Sequence, residues 1–176
     1  DPEVCYEDFM VRRNSIHHQI LWGHPDSMMI WNYLRNVTIE DNLLYAAGQH
    51  AMLTNLLNVT ITNNVMYGSY ACALIVSGGG QVRPMGVTTR KNTIAMSCMM
   101  PVSHATDSYD HANNIIVAGN PAYCWGNIDE TYDYTSDYNQ FWHGPGLTAT
   151  PVVWDDHYGW TLAQYAADSG EDTHSN

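Results

Sequence analysis

Asn14, Asn42, Asn64, Asn92, Asn114 and Asn139 are separated by 28, 22, 28, 22 and 25 residues, and each is followed two places on by an apolar side chain. Only 14% of the chain is charged, too little for a solvated helical bundle. Together these observations predict an all-β chain wound as a right-handed parallel β-helix, a solenoid of about six rungs with a C-terminal cover segment.

The first strand of each coil runs up to the asparagine, as in Thr38-Ile-Glu-Asp-Asn42, Thr60-Ile-Thr-Asn-Asn64 and Thr88-Thr-Arg-Lys-Asn92. Two residues after each asparagine stand Ile16, Leu44, Met66, Ile94, Ile116 and Phe141; five before stand Phe9, Val37, Val59, Val87, Tyr109 and Tyr134. Strand side chains alternate between faces, so both columns point inward. Met10, Thr38, Thr60, Thr88, Asp110 and Thr135, four before the asparagine, point outward. The asparagines fall at turns, where their amides can satisfy backbone groups, tolerate unusual dihedrals and bond rung to rung at the strand spacing of about 4.8 Å.

A second strand follows in each coil: Ser27–Trp31, Ala51–Thr54, Cys72–Val76, Cys98–Val102 and Ala122–Trp125 read as short buried runs between turns. The connections Gly78–Gly86 and Ser103–Asp110 account for the longer coils, and such insertions tend to gather on one face. Cys72, Cys98 and Cys124 lie 26 residues apart (98−72 and 124−98), which puts them near one column as buried thiols. Cys5 stands apart, and no zinc spacing occurs. After Asn139 the pattern stops. Residues 1–141 are therefore assigned to the coils and 142–176 to an irregular or helical cover of the same domain, with Thr161–Ala167 the best helical segment.

The net charge of −12, with 18 acids against 6 bases, argues against nucleic acid and anionic membrane surfaces as partners. No run approaches the roughly 20 apolar residues of a membrane span.

Asn36-Val-Thr-Ile-Glu-Asp-Asn42, Asn58-Val-Thr-Ile-Thr-Asn-Asn64, Ser136–Trp142 and Trp160–Tyr165 with Gly170–Ser175 together resemble the pectate-lyase-like right-handed β-helix proteins over most of residues 9–175. Many of these are bacterial and carbohydrate-active. The resemblance implies a polysaccharide or oligosaccharide partner and an extracellular, cell-surface or periplasmic location. It also implies further coils before and after this stretch, or self-association in their place. The two sequons, Asn36-Val-Thr and Asn58-Val-Thr, fall inside the rung phrase and are read as by-products of it.

The most suggestive chemical cluster is Trp22-Gly-His24-Pro-Asp26. Aligning Ser27-Met28 with Ala51-Met52 puts Asp26 under His50, with Tyr70 on the next rung. An aspartate there would orient the imidazole and raise its basicity. His50 or His24 is then the acid or base and Asp26 its partner. The bland alternative is a turn cap and a solvated pair. For a hydrolase the expected carboxylates are Asp26 and Glu40, set two rungs apart, in the range of an inverting pair. For a lyase the expected base is Arg90 or Lys91, with calcium offsetting a uronate's charge. Asp107, Asp110, Asp129, Glu130 and Asp133 offer oxygen ligands in loops, although they match no defined calcium loop. His104 and His111 flank part of that loop without metal-ligand spacing. Trp22, Tyr70 and Trp142 are the candidate sugar platforms. The function expected is a polysaccharide-binding and polysaccharide-cleaving solenoid, hydrolase or lyase. Its alternative is a non-catalytic, adhesive or structural rod.

Overall fold

The computed structural model describes residues 6–19, 26–68, 72–77, 86–95, 98–103, 108–118, 134–143, 152–154 and 157–176. Trp22, His24, Tyr70, Ala122–Trp125, His104, Asp107, Asp129, Glu130 and Asp133 lie outside them. The described chain is a parallel β-solenoid. Its six-stranded sheet stacks Ser15–Gln19, Leu43–Ala47, Val65–Tyr67, Thr93–Ala95, Ile115–Ala118 and Gln140–His143 in chain order. Its nine-stranded sheet stacks Met10–Arg12, Asp26–Glu40, Gln49–Thr62, Val87–Arg90, Tyr109–Ala112 and Tyr134–Asp137, with Tyr6–Glu7, Cys72–Ser77 and Cys98–Ser103 alongside.

The pairing follows the asparagine intervals. Met10, Thr38, Thr60, Thr88, Asp110 and Thr135 are successive register partners in the larger sheet, and Ile16, Leu44, Met66, Ile94, Ile116 and Phe141 in the smaller. Val37, Val59, Val87 and Tyr109 are buried on the inner face, as are Leu44, Met66, Ile94 and Ile116. Each such side chain contributes roughly 1.5–3 kcal/mol by leaving water. Cys72 and Cys98 are also register partners.

The asparagines form one continuous amide ladder. From Asn14 to Asn114, each donates both its backbone N–H and its Nδ2 to the Oδ1 of the next, at 2.9–3.2 Å. Each amide from Asn42 onward also donates back to a carbonyl of the preceding coil, at Val11, Ile39, Ile61, Thr89 and His111. One side chain thereby ties three coils together. The unusual dihedral, however, belongs to the residue before: Arg13, Asp41, Asn63, Lys91, Asn113 and Tyr138 all have φ between 55° and 58°. That left-handed residue turns the chain, and the asparagine satisfies the backbone groups the turn exposes.

A second left-handed column stands at the start of the rung strand, with Asp8, Asn36 and Asn58 at φ 53–59° and Gly86 at 73°. Asn36 Nδ2 donates to Asp8 Oδ1 at 2.9 Å, and Asn58 Nδ2 to Asn36 Oδ1 at 3.2 Å. The two sequon asparagines therefore have a structural role: they bend the chain and bridge exposed corners.

At the C-terminal end, the helix Leu162–Ser169 starts at Thr161, whose hydroxyl accepts from Gln164 N–H while Gln164 Oε1 accepts from Thr161 N–H. It ends at Gly170, whose φ of 78° suits glycine. Tyr165 is buried in the core cluster.

Candidate functional site

The outward face of the larger sheet changes character over the last rungs. The Thr column is interrupted by Asp110 before it resumes at Thr135, and the column two before each asparagine, which begins Arg12, Glu40 and Thr62, continues as Arg90, Ala112 and Asp137. Arg90, Asp110, Asp137, Tyr138 and Glu171 line an open groove of about 440 Å³. Arg90 donates to the Asp110 carboxylate. His174 Nδ1 lies 2.7 Å from Asp137 Oδ2, and its backbone N–H donates to Asp137 Oδ1 at 2.9 Å. The ring of His174 stacks on Tyr138 at 5.0 Å. Burial opposes ionisation of Asp137, but the hydrogen bonds from His174 and from Tyr138 N–H outweigh it and hold the carboxyl below its usual range.

Asp137 is registered against Ala112, one rung over and two residues along from Asp110. One strand spacing and two residue rises put their Cα atoms about 8 Å apart. Both side chains belong to outward columns, so the two carboxylates face the groove together.

The carboxylate pair expected from the sequence is not formed. Asp26 and Glu40 are the two ends of a single 15-residue strand, in one coil and not two rungs apart. Glu40 is taken up by Arg12 at 2.8 Å. Nor is Asp26 under His50: the register pairs Asp26 with Gln49 and Met28 with Ala51. The expected alignment is off by one residue, enough to reverse facing in a strand. His50 is fully buried, and its Nε2 donates to Tyr67 O at 2.9 Å. A base facing solvent cannot be built there. Lys91 is exposed, in one of the left-handed turn positions. Trp142 is 57% exposed but lies on the smaller sheet, around the Tyr138–Asn139 turn from the groove. Among the described residues no cluster of three or more His, Cys, Asp and Glu side chains is arranged to hold a metal ion, and no helix is long and apolar enough to cross a membrane.

His111 sits inside the solenoid, while His104 and Asp107 lie outside the described residues. The inward column of Ile39 and Ile61 continues as Thr89, His111 and Ser136, all buried. Thr89 Oγ1 lies 2.5 Å from His111 Nδ1. Burial lowers the pKa of His50 to about 4, against a hydrogen bond to Tyr67 that raises it, and that of His111 to about 3. Both rings are neutral in the fold and charge readily once unfolded near the ordinary value of about 6.5. Their contribution is thus complete above about pH 6.5 and is lost as the pH falls toward the folded values. The urea midpoint is expected to fall steadily between pH 7 and 4, with His50 accounting for up to about 3 kcal/mol. A His50→Gln, His111→Gln variant should show a flatter profile; an unchanged slope would refute this account.

The fold places the chain in the class of parallel β-solenoids, with an acidic groove on the outer face of its last rungs. Comparison with known proteins returns no matching family model, no matching characterised protein and no matching solved structure. What can be said of its chemistry therefore rests on its own residues. Asp110 and Asp137 stood in the sequence columns all along. The signal pointing to them was the break from Thr to Asp in an outward column, which the loop-ligand reading of Asp110 obscured.

Proposed function

We propose that this solenoid binds and cleaves a polysaccharide laid across the outer face of its last rungs, as a glycoside hydrolase acting outside the cell or in the periplasm. The observation that carries this reading is the pairing of Asp110 and Asp137 in one groove, at a spacing of about 8 Å. That spacing is between Cα atoms; the two side chains leave the same face of the sheet, as the paired carboxyls of an inverting hydrolase must, with roughly 6.5–9.5 Å between the carboxyl groups to leave room for a water. Asp137, kept ionised by His174, suits the base that activates this water. Asp110, across the groove, is the carboxyl placed to serve as its partner acid. Tyr138, 57% exposed, offers an aromatic edge to a sugar.

A neutral glycan fits this groove better than a uronate. Asp110, Asp137 and Glu171 face a single guanidinium, Arg90, which is already paired. A lyase would need Arg90 or Lys91 as base and added calcium to offset that charge. The second reading, a structural or adhesive rod, draws support from the unbroken amide ladder, which favours stiffness over chemistry.

A screen of neutral and uronate polysaccharides, with and without chelator, separates these readings. New reducing ends on a neutral glycan, insensitive to chelator and without ultraviolet-absorbing unsaturated products, are expected. Chelator-sensitive unsaturated products would replace the hydrolase with a lyase. No cleavage of any polymer would leave the rod.

A further inference from the structure

On the outer face of the smaller sheet, three residues after successive ladder asparagines, stand His17, Tyr45 and Tyr67, which are register partners. Their rings form one stack. His17 lies on Tyr45 at 4.7 Å and 16° between planes, and Tyr45 on Tyr67 at 5.2 Å and 4°. An imidazole held flat against a phenol has little freedom to turn, so its nitrogens keep one direction.

The residue after His17 departs from strand geometry. Neighbouring strand residues point to opposite faces, but His18 is left-handed, with φ 60°. At the same place on the next two rungs, Ala46 and Gly68 are left-handed too, with φ 54° and 69°. The bend therefore belongs to the fold. Of these three rungs, only this one sets a side chain larger than methyl on it.

The bend returns His18 to the face of His17. The two rings meet edge to face with centroids 4.8 Å apart, and their Nδ1 atoms lie 2.5 Å from each other. Tyr45 also meets His18 edge-on at 5.6 Å, so one phenol braces both imidazoles. Both histidines are exposed. A neutral imidazole carries a lone pair on one ring nitrogen. Two ring nitrogens this close are held by something positive between them: the proton of an N–H···N hydrogen bond, or a metal ion in its place.

Geometry chooses among the metals. With metal–nitrogen bonds of about 2.0 Å, neighbours in a square plane lie about 2.8 Å apart and tetrahedral ones about 3.3 Å. The observed separation is close to the first and well short of the second. Square-planar nitrogen sites suit copper(II) or nickel(II), and copper binds the tighter of the two. We propose that His17 and His18 chelate one copper(II) ion through their Nδ1 atoms, with water in the remaining positions. The site is on the other sheet from the acidic groove and is independent of the function assigned to that groove.

Electron paramagnetic resonance and calorimetric titration with copper(II) test this on the protein and on His18→Ala and His17→Phe variants. Alanine is what Ala46 places in the same left-handed position, and phenylalanine keeps the stack on Tyr45. Both variants should retain the β-sheet circular dichroism of the parent. The parent is expected to take up one copper coupled to two imidazole nitrogens, at least tenfold more tightly than either variant. Zinc should bind more weakly than copper. The protein has nine histidines, so copper held elsewhere is the competing outcome. A parent spectrum and affinity reproduced by either folded variant would overturn the proposal, as would zinc binding tighter than copper. Copper coupled to fewer than two imidazole nitrogens in the parent would overturn it whether or not the variants fold.

Discussion

Replacing Asn64 with alanine is expected to lower the unfolding free energy by about 3 kcal/mol or more. Asn64 is fully buried. Its Oδ1 accepts from both the N–H and the Nδ2 of Asn42, and its Nδ2 reaches Ile39 O, Thr62 O and Asn92 Oδ1 at 2.9–3.0 Å. Alanine would leave donors and acceptors on three coils without partners and without access to water, at about 1–3 kcal/mol for each group. Asn14→Ala, at the exposed end of the ladder, should cost about 1 kcal/mol. Urea unfolding of the two variants gives the comparison. Equal losses would mean that the ladder is no stronger inside than at its rim.

Asp137→Asn is expected to cut hydrolysis of the responsive glycan by about 10²–10⁴, the usual worth of a positioned acid or base. Asparagine keeps the shape and can still accept from the backbone N–H of Tyr138 and His174, so stability should change by about 1 kcal/mol at most. What it loses is the charge that activates water. Initial rates on the glycan, read beside a thermal melt, separate lost chemistry from lost fold. A variant that is folded and fully active would remove Asp137 from the mechanism.

The rung register was legible because it is written in two independent columns. The intervals between asparagines and the alternation of Val37, Thr38 and Ile39 both demand the same pairing, and a slip would bury threonine and expose isoleucine. The second strands carry no such double mark. Ser27–Trp31 against Ala51–Thr54 offers only similar apolar runs, so the alignment could settle one residue away from the true partners, Met28 and Ala51. That slip produced the Asp26–His50 pair. The left-handed column was hidden for another reason: Arg13, Asp41, Asn63, Lys91, Asn113 and Tyr138 share a backbone angle but no side-chain chemistry. The groove was only half visible. Asp110 and Asp137 could be read from their columns, whereas Glu171 and His174 reach it through a helix and a tail whose docking depends on Ser136 and Asn139, not on any repeat.

Intervals of 22, 25 and 28 residues coexist in one regular stack, so the ladder, and not coil length, sets the register. Each coil answers to its neighbours only through a left-handed residue, the asparagine after it and the inward columns. Excising Val65–Asn92 would bring Thr93 against Leu43, with Asn64 still donating to the next asparagine and the same faces turned in. Such a chain can change in length by whole coils over evolutionary time while its groove and its terminal segment stay intact. Length is thus a free variable of this architecture, set separately from the groove on its last rungs.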